Sequence, residues 1–210
     1  MKIGFFGDSF CSQISSLQNI GRYDTYIKKI KNHYNAKIVS LGVNGSSYWD
    51  TILQQFEPFK QNLPDVCVFV WTEPNRLYHP TIRSINHGSA QSQKIKHGLP
   101  GTDYYNTWKS AEQYYIYLHD MEKARLEHLS ALYYFDKVIL PQYKSKFIHM
   151  WSFESVYDWT TGAEIKSPLY SVIADKDQGF KFDLTPNHIP GNAKNKIVAD
   201  WIINAIDNYE

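Results

Sequence analysis

Ile3-Gly4-Phe5-Phe6-Gly7-Asp8-Ser9-Phe10 opens the chain with a short apolar run that stops at a Gly-Asp-Ser corner. Read as a buried strand handing over to a helix, it leaves the Ser9 hydroxyl at the carboxyl end of a sheet. There it would stand beside a helix N-terminus whose free N–H groups attract anions. A nucleophile belongs at such a place, but Gly-Asp-Ser is also a common strand-ending turn, so the rest of the chain has to decide.

Working outward, Tyr23, Ile27, Ile30 and Tyr34 recur at helical spacing with basic residues between them. The stretch from Ala36 to Val43 reads as a second short strand, ended by Asn44-Gly45-Ser46-Ser47, whose polar side chains suit a helix cap. Trp49, Ile52, Leu53 and Phe56 then predict one apolar stripe of a helix closed by Pro58. Val66-Cys67-Val68-Phe69-Val70-Trp71 is an unbroken apolar run, the pattern of a parallel strand covered on both faces. This alternation predicts an α/β fold, a three-layer α/β/α sandwich with a central parallel sheet of flavodoxin-like type. Ligands then sit outside the carboxyl ends of the strands, so the turns after the first three strands should share one edge.

From Leu77 to about Thr102 the chain is polar and irregular, too long for an ordinary βα connection. We read residues 77–102 as an insertion over the site, a candidate lid. Between Asp103 and Leu140, Leu118, Met121, Leu129, Leu132, Phe135 and Ile139 run near helical period, enough for two helices or one bent one, stopped by Pro141. Lys146 to Trp151 reads as a fourth strand, and 155–179 shows no dominant period. A last helix carries Ile197, Val198, Trp201, Ile202, Ala205 and Ile206 on one stripe, opened by Asn192 after Pro190-Gly191. No repeat or linker interrupts residues 1–210, which are expected to form one domain.

Composition narrows the function classes. Twenty-two basic against twenty-one acidic residues give a formal charge of +1, no electrostatic footprint for nucleic acid or an anionic membrane. The first glycine turn also lacks the repeated glycines of a dinucleotide site. Cys11 and Cys67 stand in no C-x-x-C or metal-type spacing and are expected to be free thiols, with Cys11 too far along to be the corner nucleophile. The histidines show no H-E-x-x-H spacing, so no catalytic metal and no cofactor are expected; His119 and His128, on a charged helical stretch, are expected to be solvated. No charged leader and no run of about 18 apolar residues occurs, so the chain is expected to be cytoplasmic, or carried in a virion or exported without a signal. Sixteen tyrosines and six tryptophans, dense between Tyr78 and Trp159, suggest a half-buried helical layer or a platform for sugars.

Four short segments together resemble the SGNH hydrolases, the GDSL esterase and lipase family, across nearly the whole chain. Gly7-Asp8-Ser9 resembles the family's first block, which implies Ser9 as nucleophile and its backbone N–H as one oxyanion donor. Gly42-Val43-Asn44-Gly45 is similar to the second, implying a backbone N–H donor at Gly45, which otherwise reads as a plain turn glycine. In the third, Gly-x-Asn-Asp, Asn75 of Glu73-Pro74-Asn75-Arg76 takes the asparagine's place as amide donor, or else caps the next segment. Glu73 replaces the glycine and Arg76 the aspartate; an uncompensated Arg76 would suit a substrate carboxylate or phosphate. In Asp183-Leu184-Thr185-Pro186-Asn187-His188, His188 matches the catalytic histidine of Asp-x-x-His, although it could cap the last helix. Threonine stands where the aspartate should be, so Asp183 is either a triad acid across a longer loop or a loop residue.

The resemblance implies a serine ester hydrolase working through an acyl-enzyme on a small-molecule or glycan ester, with an acetyl ester of a carbohydrate the expected substrate. The competing expectation is a catalytically silent member of the fold that binds glycan or protein through its tyrosine-rich insertion.

Overall fold

The computed structural model describes residues 1–12, 24–86, 100–173 and 186–209. In chain order these form β1 (Lys2–Gly7), α1 (Tyr26–Tyr34), β2 (Lys37–Ser40), a helical segment α2, β3 (Val66–Trp71) and the short strands β4 (Leu77–His79) and β5 (Arg83–Ile85). There follow α3 (Asp103–Tyr117), α4 (Met121–Tyr134), β6 (Lys146–Trp151), β7 (Ala163–Glu164), α5 (Leu169–Ile173) and α6 (Gly191–Asp207). α2 passes from an α-helical turn Tyr48–Asp50 through a π-helical stretch Thr51–Phe56 into a 3-10 turn Glu57–Phe59.

The sheet has the order β2-β1-β3-β6-β7, and every pairing in it is parallel. Side-chain alternation sorts its residues between two cores. Ile3, Phe5, Val68, Val70, Ile148 and Met150 point to one face, covered by α1 and α6. Phe6, Cys67, Phe69, Trp71, Phe147 and Trp151 point to the other, covered by α2, α4 and the helical turns after α4. Every residue of β3 is buried, which is why that stretch is apolar without alternation. The expected α/β/α sandwich is therefore the architecture. Both cysteines are buried free thiols.

Several local expectations need correction. The buried side of α2 carries Tyr48, Asp50, Ile52, Gln55 and Phe56, while Trp49 and Leu53 are 37% and 40% exposed. The π-helical turn winds with more than 3.6 residues, so a stripe counted at helical period drifts off the core face. Leu118 and Met121 stand outside the core, being 72% and 54% exposed. Leu118 caps the end of α3, and Asp120 caps α4 by accepting the Lys123 N–H, so the stripe breaks at a corner between two helices. His128 is buried rather than solvated: its ring stacks on Tyr48 at 4.4 Å and neither nitrogen makes a hydrogen bond to the described residues.

The start of the insertion is ordered. β4 and β5 pair as an antiparallel hairpin, and Ile85 packs with Trp108 and Ala111 of α3. The Tyr115 hydroxyl, with one proton to share, lies 2.8 and 2.6 Å from the carbonyls of Asn75 and Ile85, fastening the hairpin to the end of β3. Residues 87–99 of the insertion lie outside the described residues, as does Tyr23. Asn192 is not the cap of α6, which begins at Gly191 after Pro190; its Oδ1 instead accepts the Asp24 N–H at 2.9 Å. Asn195, fully buried, accepts the Tyr26 N–H and donates to the Ile189 and Gly191 carbonyls, locking α6 to the start of α1.

Candidate active site

β1 ends at Gly7 in close contact with β3. A Cβ at Gly7 would lie 2.3 Å from the Val70 carbonyl oxygen, and its φ of +151° is one that side chains resist, so the corner requires glycine. Asp8 then accepts the Phe10 N–H at 3.0 Å and the Ser152 hydroxyl at 3.0 Å, tying the corner to the end of β6. Burial pushes the Asp8 carboxyl up from its ordinary value, against the opposing pull of Arg76, the Phe10 N–H and Ser152. Ser9, partly exposed, opens a 3-10 turn, Ser9–Cys11. The turn ends at Ser12, which is extended and bridges Gly42, so a three-residue 3-10 turn stands beside Ser9 in place of the expected helix N-terminus.

The turn after β2 is bound to this corner by backbone and side chain. Val43 N–H donates to the Gly7 carbonyl at 2.9 Å and Gly42 N–H to the Cys11 carbonyl at 2.9 Å. Gly45 has a left-handed φ of +75°, and a Cβ there would meet nothing within 4 Å, so its peptide borders open space. Beneath it lies a buried polar network that no sequence pattern announces. Gln55 accepts the Gly7 N–H at 2.8 Å, and its Nε2, with two protons, lies within hydrogen-bond distance of three acceptors, the Gly7 carbonyl, the Ser46 hydroxyl and the Asp50 carboxylate, at 3.0, 2.7 and 3.0 Å. The Ser46 hydroxyl in turn donates to Asp50 at 2.6 Å, and the Ser47 hydroxyl caps α2 at the Asp50 N–H. The caps are legible in Ser46-Ser47, whereas Gln55 looks like an ordinary surface residue of a helix.

After β3, Asn75 is held by its carbonyl, which accepts the Tyr115 hydroxyl at 2.8 Å, and its side-chain Oδ1 is buried without a hydrogen bond among the described residues. Arg76 is compensated, which corrects the expectation of a free guanidinium for substrate. It donates to the Ser46 carbonyl at 3.2 Å and meets Glu73 at 3.5 Å, with its side chain only 9% exposed. Its charge thus serves the protein interior, bridging the turns after β2 and β3.

His188 closes the 3-10 turn Pro186–His188 just before α6. Asn187 and His188 both hold left-handed backbone, φ 57° and 55°, a costly conformation for residues other than glycine and one characteristic of functional sites. The His188 ring meets the ring of Phe10 edge-on, centroids 5.1 Å apart, so the residue after Ser9 touches a residue far along the chain. Burial of Ile189 and the Asn195 bond to its carbonyl anchor the segment beyond His188. Ser9, Gly45, Asn75 and His188 therefore all belong to turns at the carboxyl edge of the sheet or beside it. Asp183 lies outside the described residues.

Next to these turns a cleft of about 760 Å³ opens between Thr72-Glu73-Pro74, the segment after β6 and the start of α4. Phe153 on its wall packs edge-on against Phe10 at 5.8 Å and lies against Tyr170 at 6.2 Å, so a row of rings leads from His188 into the cleft. A buried histidine of β6, His149, is structural. Its Nδ1 accepts from Trp71 Nε1, its Nε2 faces the Thr161 carbonyl at 3.0 Å, and burial lowers its pKa to about 3.

No family model matches the chain, and no curated protein matches it in sequence. Among solved structures it is similar to the psychrotrophic esterase EstA from Pseudoalteromonas sp., whose structure is described as inhibited by monoethylphosphonate. The identity is 7%, the TM-score 0.48, and the alignment covers 98% of this chain and 96% of that one. It is also similar to a family two carbohydrate esterase from Clostridium thermocellum in complex with cellohexaose, at 11% identity and a TM-score of 0.43 over 99% of this chain and 63% of that one. A protein assigned as a GDSL-like lipase from Parabacteroides merdae aligns at 15% identity and a TM-score of 0.40, over 98% of this chain and 95% of that one.

Proposed function

We propose that the chain is a serine ester hydrolase of SGNH type, acting on small acyl esters of carbohydrates. One observation carries the reading: the turn that begins at Ser9 lies against the turn that ends at His188, with the rings of Phe10 and His188 5.1 Å apart. In this mechanism Ser9 Oγ attacks the ester carbonyl while His188 takes the serine proton. The oxyanion forms opposite the N–H groups of Ser9 and Gly45 and the amide of Asn75, each donor of this kind lowering the barrier by ~2.7–4 kcal/mol. The carbonyl re-forms, the bond to the alcohol oxygen breaks, and His188 returns the proton to the departing alcohol. Water, deprotonated by His188, then attacks the acyl carbonyl; the bond to Ser9 Oγ breaks as Oγ takes the proton back from His188, and the acid leaves.

The left-handed backbone at His188 and the many bonds that fix the corner after β1 support the reading, because a reacting group needs a rigidly held position. Asp183 is proposed as the acid orienting His188. The test is hydrolysis of p-nitrophenyl acetate by the wild type, Ser9→Ala and His188→Ala. A rate that disappears in both variants agrees with the mechanism. A wild type with no rate above buffer favours a silent binding protein, and a rate retained in Ser9→Ala rules out this serine.

A further inference from the structure

Asn44-Gly45 is the only Asn-Gly pair in the chain; every other asparagine precedes a residue that carries a Cβ. The pair stands at the tip of the turn after β2, with both residues exposed. The turn is held at its ends, where the Val43 carbonyl accepts the Ser46 N–H at 3.1 Å and the Ser46 hydroxyl at 2.8 Å. We propose that this pair is a self-modification site: in the folded protein the Gly45 nitrogen closes on the Asn44 side chain to a succinimide, which opens to aspartate and isoaspartate and disables the oxyanion turn. The loss of activity rests on the esterase reading above; the modification does not.

A peptide nitrogen attacks a side-chain amide only after it gives up its proton, and only where nothing crowds it. Among the described residues the Gly45 N–H makes no hydrogen bond and the Asn44 side chain has no partner, so neither group must first be released. Gly45 holds a φ of +75°, a region that glycine enters freely, and a Cβ placed there would meet nothing within 4 Å. The peptide therefore has room to turn its nitrogen onto Asn44 Cγ. Other asparagines lack this freedom. Asn32, Asn106, Asn195 and Asn204 lie inside helices, and the Ala36 N–H that follows Asn35 is bound to the Lys31 carbonyl at 2.9 Å.

The bonds balance with water as the only co-reactant. Hydroxide takes the Gly45 N–H proton, the nitrogen bonds to Asn44 Cγ, and the Cγ–Nδ2 bond breaks to release ammonia. In the succinimide the Gly45 nitrogen carries no hydrogen, so the donor proposed for the oxyanion is gone. Water then opens the ring at Cγ, giving aspartate, or at the main-chain carbonyl, giving isoaspartate. In isoaspartate the chain runs through Cγ and is one methylene longer, which shifts the Gly45 N–H, and a lost donor of this kind costs about 10²–10³ in kcat. Both products also place a carboxylate one residue before the donor.

The experiment ages the native protein in mildly alkaline heavy-oxygen water and follows it by peptide mass spectrometry and by hydrolysis of p-nitrophenyl acetate. Asn44 should exchange its amide nitrogen for one heavy oxygen at least about tenfold faster than any other asparagine. Activity should fall in step with the isoaspartate fraction. Asn44→Gln, whose longer side chain would have to close a six-membered ring, should keep its starting rate over the same interval. Asn44 left intact in the native protein after the same segment has converted in urea, or another asparagine converting first, overturns the proposal. Conversion to isoaspartate with activity unchanged overturns the disabling of the turn. A protein without esterase activity at the outset fails the reading above, and the mass spectra still decide whether Asn44 modifies itself.

Discussion

Replacing Gln55 by alanine tests whether the proposed oxyanion side of the site is held by one buried amide. The side chain is 5% exposed, accepts one hydrogen bond and shares its two Nε2 protons among three acceptors, with two of these four contacts made to the backbone of Gly7. Its loss strands the Gly7 N–H, and the Asp50 carboxylate keeps the Ser46 hydroxyl but loses an amide donor. At ~1–3 kcal/mol for each stranded buried group, plus the removed packing, the total is about 4 kcal/mol. For a chain of this size that lowers the melting temperature by about 8–16 °C. Gln55→Glu separates polarity from volume, since it keeps the shape but turns the Nε2 donor into an acceptor facing Asp50. Burial raises the pKa of the introduced carboxyl in the folded state. The variant is therefore closest to wild type at pH below the unfolded value of about 4.3 and loses stability as pH rises through the raised one. The assays are urea unfolding of both variants across pH, with kcat on p-nitrophenyl acetate alongside. If Gln55→Ala costs less than about 1 kcal/mol and leaves kcat unchanged, the network does not hold the site.

His128 is buried without hydrogen bonds and its pKa is lowered to about 4, so folding favours its neutral form. Its contribution is complete above the unfolded pKa of about 6.5 and is lost as pH falls toward 4, amounting to roughly 3 kcal/mol; His128→Phe, which keeps the stack on Tyr48, should flatten that slope in unfolding titrations. Arg76→Met should lower kcat by about tenfold with KM little changed, because it releases the Ser46 carbonyl and leaves Glu73 unpaired. Arg76→Lys should not restore kcat, since one ammonium cannot span both partners. Burial raises both thiols, Cys67 to about 12, so a disulfide reagent should find no reactive cysteine in the native protein and two after denaturation.

The strands are the legible part of the chain. Val66–Trp71 can be bounded from residues alone because a strand covered on both faces is apolar, and Lys146–Trp151 nearly so, with Lys146 at its start and His149 as its one buried polar residue. The hairpin of β4 and β5 is hidden because three-residue strands are too short to show alternation, and a single cluster around Trp108 holds them. Gln55 and Asp50 are hidden for another reason. Their burial depends on a π-helical turn and on partners 48 and 4 positions away, neither of which a periodic pattern records. Arg76 looks available because sequence shows its charge but not the carbonyl and carboxylate that meet it. His128 has charged neighbours in sequence, yet those occupy the outer side of α4 while it faces Tyr48 and Trp151.

Activation of Ser9 by His188 is the step on which the esterase proposal stands or falls. It is tested most directly by incubating the native protein with a fluorophosphonate, followed by peptide mass spectrometry of wild type and His188→Ala. A single phosphonylated residue, Ser9, is expected in the wild type, with a labelling rate lower by about a hundredfold or more in the histidine variant. Labelling at another residue, or at Ser9 with the same rate in both proteins, would contradict it.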